Sequence, residues 1–154
     1  MRTAEEWFSS YSRDHQNPAN RSIHWVCVPA ILWAVIAALW TIPVPSALGV
    51  PGLWSCLAMA GALAFYFRMS RSLGLVMLGL FILLGALCNA LDGALGPTHV
   101  LGLAVGVFVA AWVGQFIGHI FEGKRPSFLT DLSYLMIGPA WLVSKLMRRA
   151  GVAY

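Results

Sequence analysis

Polar and apolar positions along this chain separate into long blocks with no fine alternation. Four stretches contain no Asp, Glu, Lys, Arg or His: 25–42, 48–67, 73–91 and 100–117. A helix rises ~1.5 Å per residue and the bilayer hydrocarbon is ~30 Å thick, so ~17–25 apolar residues suffice to cross it. Each block reaches that length. The blocks are rich in Leu, Ala, Val and Gly and show no period of two, so helices are expected and strands are not. Connectors are expected at 43–45, 69–72 and 92–98, where Pro, Gly, Ser or charge interrupts the apolar runs.

Charge placement tests this count independently. With residues 1–24 on one side of the membrane, four crossings return the 68–72 connector and everything after 120 to that same side. It then holds Arg2, Arg13, Arg21, Arg68, Arg71, Lys124, Arg125, Lys145, Arg148 and Arg149, all ten basic residues. The positive-inside rule assigns that side, with both termini, to the cytoplasm. The host membrane is then the inner membrane in a bacterium or the endoplasmic reticulum in a eukaryote. Glu5 and Glu6 precede the first block where a signal peptide is basic, so no cleaved leader is expected.

The 132–143 segment differs. It is apolar for too few residues to cross, follows Asp131, and is interrupted by Gly138-Pro139. A fifth crossing would also carry Lys145, Arg148 and Arg149 to the opposite side. An interfacial or re-entrant segment is expected. The fold class is therefore all-α integral membrane, one domain over 1–154. An N-terminal interfacial helix (1–17) precedes a bundle of four transmembrane helices (18–121), and a re-entrant or interfacial segment (122–154) follows.

Composition agrees. Of 154 residues, 59% are hydrophobic and 10% charged, against about 25% charged in soluble domains. A soluble globule, a nucleic-acid module and a disulfide scaffold are excluded. Cys27, Cys56 and Cys88 lie singly in three different blocks and are expected as small buried apolar side chains. The spacings Gly102/Gly106 and Gly114/Gly118 suggest close helix packing.

Candidate chemistry gathers at one end. Thr3 and Glu6 form a capping box opening a helix on which Trp7, Tyr11 and His15 recur every fourth residue. Asn17 and Pro18 suit the N-cap and first position of the next helix, where Asn20 and His24 are again four apart. Gln115, His119 and Glu122 share a face where the fourth crossing ends. His15, His24 and His119 can therefore meet, while His99 starts the fourth crossing roughly 30 Å away. Glu122 and Asp131 can reach the same interface. Three imidazoles, or two with a carboxylate, suit Zn, Fe or Ni and leave positions open for substrate. Asn17, Asn20 and Gln115 can hold the imidazoles in one tautomer from behind, or cap helices. Tyr11 can donate a hydrogen bond at the site or anchor the interfacial helix. Arg21, Lys124 and Arg125 can bind a substrate carboxylate or sit among anionic headgroups.

The pattern Tyr11-x-x-x-His15-x-Asn17-Pro18-x-Asn20-x-x-Ile23-His24-x-x-x-x-Pro29, followed by Gln115-Phe116-x-Gly118-His119 and Arg125-Pro126, resembles the Mpo1-like family, from Tyr11 to about residue 146. The resemblance implies an Fe(II)-dependent dioxygenase in which His15, His24 and His119 match the family's histidines. It implies α-oxidation, in which a long-chain 2-hydroxy fatty acid and O2 give CO2 and the fatty acid one carbon shorter. The alternative is a non-catalytic membrane protein, a small transporter or lipid-binding scaffold, whose polar cluster is structural or carries a metal. No internal repeat favours a transporter. Oligomeric state is left open.

Overall fold

The charge-free blocks become helices, but caps rather than hydrophobicity decide where each helix ends. The computed structural model describes residues 2–126 and 133–154, which are all-helical. Among the described residues six helices run in order: α1 (Ala4–Arg13), α2 (Pro18–Trp40), α3 (Leu53–Met69), α4 (Arg71–Leu95), α5 (Pro97–Glu122) and α6 (Tyr134–Arg149).

The Thr3–Glu6 capping box opens α1 as expected. Helix α2 begins well before its apolar block, because the Asn17 side chain accepts from the backbone N–H groups of Ala19 and Asn20 and Pro18 fills the first turn. Ser70 alone separates α3 from α4, and its hydroxyl accepts from Leu73 N at 3.3 Å. Gly96, at φ +78°, alone separates α4 from α5. The connector expected at 92–98 thus shrinks to one residue, and Asp92 lies within α4. The first connector instead lengthens to 41–52, where Pro43, Pro45 and Pro51 lack the N–H a helix needs, and Gly52 (φ +68°) packs against the Trp40 ring at its end. A Cβ there would lie 2.6 Å from that ring.

Among the described residues, α2, α4 and α5 are long and apolar enough to cross a membrane. Helix α3 is apolar but only 17 residues long, at the short limit of a spanning helix. Large apolar side chains such as Val26, Ile82, Leu83 and Ile120 are exposed, as lipid-facing positions are. Helix α6 carries Pro139 and buries Ile137, Trp141 and Met147, packing against α1, α2 and α4.

The tightest seam joins α2 to α5. A Cβ on Gly114 would lie 2.7 Å from Cys27 Sγ, and one on Gly118 would lie 2.5 Å from Asn20 Oδ1. Gly102 and Gly106 were expected to share this stripe but do not, because a Cβ on either meets nothing within 4 Å. Gly102 and Gly106 lie off the buried face of the first half of α5, which Val100 and Ala104 carry instead. Cys27 and Cys88 are buried and free, whereas Cys56 is exposed, contrary to expectation, because it faces away from the neighbours of α3. Helix α3 pairs with α4 and touches α2 but hardly meets α5. A slot is left over α2, between α3 and α5.

Candidate metal centre

Three elements each deliver one imidazole. His15 follows α1, just before the Asn17 cap, His24 lies two turns into α2, and His119 lies in the last turn of α5. All three are buried, with exposures of 2%, 1% and 5%. One nitrogen from each lies within 4.8 Å of the others. The ring centroids of His15 and His24 are 4.4 Å apart, and each is 5.2 Å from that of His119.

Tautomers follow from the hydrogen bonds. His15 Nδ1 lies 2.7 Å from Tyr11 O and His24 Nδ1 lies 2.9 Å from Asn20 O. A carbonyl oxygen only accepts, so both Nδ1 atoms carry protons and donate. Each Nε2 is left with a lone pair, and the two Nε2 atoms face one another at 3.0 Å. Two lone pairs at that distance repel unless something positive lies between them. Burial holds the His15 imidazole below its ordinary pKa, against smaller opposing effects from Tyr11 O, Glu122 and Asp14, so an imidazolium is disfavoured there. His119 Nδ1 is buried with no hydrogen-bond partner among the described residues. This donor set fits a divalent transition metal. With metal–nitrogen bonds of about 2.0–2.1 Å, two imidazoles at right angles on one ion have nitrogens about 3 Å apart. His15 and His24 would each also donate the other N–H to a fixed carbonyl, as metal-bound imidazoles usually do.

The surroundings brace the cluster. The Glu122 carboxylate accepts from Gln16 N at 2.8 Å, Asn17 N at 2.9 Å and Asn20 Nδ2 at 2.9 Å. It ties the end of α5 to the α1–α2 turn, and the cluster of metal-capable side chains among the described residues contains the three histidines without it. Asn17 also donates to Phe121 O at 3.0 Å. Asn20 is fully buried, and its Oδ1 has no partner among the described residues. Tyr11 stacks on His15 with centroids 4.0 Å apart, and burial raises its phenol pKa, so it keeps its proton.

Below the cluster lies a cavity of about 430 Å³. Tyr11, Gln115 and the three histidines line its polar end, and residues of α2, α3, α5 and α6, with Phe81 of α4, line the rest. Arg21, Lys124 and Arg125 are exposed and do not line it; Lys124 instead reaches Arg13 O at 3.1 Å and Asp14 at 3.9 Å. Asp131 lies outside the described residues. His99 is exposed at the far end of α5 and bonds to Leu95 O.

Sequence reasoning missed the cavity walls. Ala58, Gly61, Ala62 and Phe65 of α3 recur at spacings of three and four along one wall, a pattern that periodicity could have flagged. It also missed Trp141 of α6, whose ring centroid lies 5.9 Å from that of His15 and whose indole N–H donates to Ser12 Oγ.

A buried three-histidine cluster capping an apolar cavity in an all-helical bundle defines a membrane protein with a candidate metal site. The sequence model described as "Mpo1-like: 2-hydroxy-palmitic acid dioxygenase Mpo1-like" matches residues 1–150, and the chain belongs to that family. It is similar to the 2-hydroxy-palmitic acid dioxygenase MPO1 of Saccharomyces cerevisiae, with 27% identity over 143 residues covering 92% of this chain and 78% of the yeast protein. No solved structure matches it.

Proposed function

We propose that the protein is a membrane-embedded, Fe(II)-dependent dioxygenase of long-chain 2-hydroxy fatty acids, with His15, His24 and His119 as the metal ligands. The observation that carries this reading is the pair of Nε2 lone pairs facing at 3.0 Å, with both Nδ1 protons already donated to carbonyls. The name of the yeast relative supplies the substrate class. The reaction takes a 2-hydroxy acid and O2 to the acid one carbon shorter, CO2 and water. Bound iron would supply the one-electron chemistry that O2 requires.

The chain's own residues do the remainder. Backbone carbonyls of Tyr11 and Asn20 hold two imidazoles in the tautomer that presents Nε2 inward. The protonated Tyr11 hydroxyl and the Gln115 amide line the polar end of the cavity and offer hydrogen bonds to the carboxylate and 2-hydroxyl of the substrate. Glu122, Asn17 and Asn20 clamp the turn that carries His15 to the helix that carries His119. The apolar walls exclude water. Arg21, Lys124 and Arg125 sit outside the cavity among anionic headgroups. In this reading α3 completes a four-span bundle, with both termini in the cytoplasm.

The test is to purify the full chain in detergent without chelator, measure bound metal, reconstitute it with Fe(II), and follow 2-hydroxypalmitate with O2. Iron-dependent formation of the one-carbon-shorter acid is expected. Iron-loaded protein that leaves 2-hydroxypalmitate unchanged would refute the proposal.

A further inference from the structure

The cavity is elongated, and its lining follows the helix repeat. On α2 the lining residues are His24, Val28, Ile31, Leu32 and Val35; on α5 they are His119, Gln115, Trp112 and Phe108. Each series spans eleven residue steps, so at ~1.5 Å per residue the slot descends about 16 Å from the histidines. One leaflet of a ~30 Å hydrocarbon layer is about 15 Å deep. The slot is therefore about as long as one leaflet, polar only at its histidine end. Its volume of about 430 Å³ lies within the usual range for small-ligand sites. It also borders the gap where α3 and α5 hardly touch.

The wall on α3 is made of small residues. Ala58, Gly61 and Ala62 line it, and a Cβ built on Gly61 meets nothing within 4 Å. This glycine needs no left-handed backbone and admits no close neighbour. What its missing side chain leaves is space in the slot.

Resting on the proposed activity, we infer that the slot is a ruler for the acyl tail. One extended chain lies along α2 with its 2-hydroxy acid head at the histidines and reaches the slot through the α3–α5 gap. Gly61 and Phe108 set the accepted chain length. A larger side chain at Gly61 shortens the slot, and a smaller one at Phe108 lengthens it.

The full chain, reconstituted in phosphatidylcholine nanodiscs, would be titrated with a fluorescent fatty acid, and the probe displaced by 2-hydroxypalmitate or by 2-hydroxydecanoate. Turnover of both acids is followed in parallel. Gly61→Leu is expected to lower the ratio of long-chain to short-chain affinity by about tenfold or more, the scale on which apolar pockets discriminate methylenes. Phe108→Ala is expected to raise it. If Gly61→Leu fails to fold, Phe108→Ala decides. Unchanged ratios in the folded variants, or a probe that free acids do not displace, would overturn the inference. Chain-length-dependent binding that shifts in the variants, without turnover by the wild type, would sustain the ruler while removing the catalytic proposal. Turnover with ratios unmoved in both variants would do the reverse.

Discussion

Glycines of the α2–α5 seam and glycines on the outer faces of the α3–α4 hairpin are the same residue type, yet they do opposite things. Along the seam, glycines are places where the neighbour arrives: Gly114 lies against Cys27 and Gly118 against Asn20. On the hairpin, Gly74 of α4 meets the Phe67 ring of α3, but Gly61 and Gly79, outside that contact, face open space. Close approach at the seam sets His24 and His119 at a fixed separation, as two ligands of one ion require. Helix α3 instead stands off from α5 and leaves room for a ligand. Composition therefore does not separate a packing glycine from a space-making one; the partner helix does.

The comparison is broken most severely at the histidines. His24→Ala or His119→Ala removes a proposed ligand on the seam itself. Either is expected to abolish stoichiometric metal in the purified protein and to lower activity by more than the ~100-fold that outer partners of a metal site account for. Elemental analysis and turnover check this. Full metal content in both variants would take the seam out of the metal site.

Glu122→Gln should have the next largest effect. The carboxylate accepts three N–H groups from the turn and α2, whereas an amide brings an NH2 group to face donors. The clamp between α5 and the His15 turn loosens, and metal affinity is expected to fall by about 10–100-fold, read by competition with a chelator. Glu122→Asp, which keeps the charge on a shorter stem, should lose less.

What was legible in the sequence follows from the range of each interaction. Caps at Thr3 and Asn17 and the four-residue spacings of Tyr11, His15, Asn20 and His24 are local, so the carbonyl partners of both imidazoles could be anticipated as shared helix faces. The meeting of His119 with His15 followed from counting crossings. The partners of Glu122 were not legible, since they lie more than a hundred residues away along the chain. A carboxylate near histidines reads as a ligand until its acceptor sites are seen to be occupied. The slot was the least visible feature of all, because it arises from a contact that α3 and α5 do not make. Likewise Gly102 and Gly106 match Gly114 and Gly118 in spacing, and only the position of α2 tells the pairs apart.

The smallest effects sharpen the contrast most, because one substitution can be made on both sides of it. Gly118→Ala puts a methyl group where Asn20 Oδ1 stands 2.5 Å away. Asn20 is fully buried and donates to Glu122 at 2.9 Å, so it cannot swing aside without releasing the clamp. The overpacking is expected to destabilise the protein by about 1–3 kcal/mol and to weaken metal binding with it. Gly79→Ala makes the same change on α4 at an exposed position with nothing within 4 Å. There only backbone freedom changes, and alanine favours the helix over glycine by up to about 1 kcal/mol. Unfolding in mixed micelles should therefore move in opposite directions for the two variants, with metal content altered only by the first. Equal shifts would mean that the seam at Gly118 is no more crowded than the open face at Gly79. The histidine geometry would then owe its precision to the Asn17 and Glu122 tethers alone.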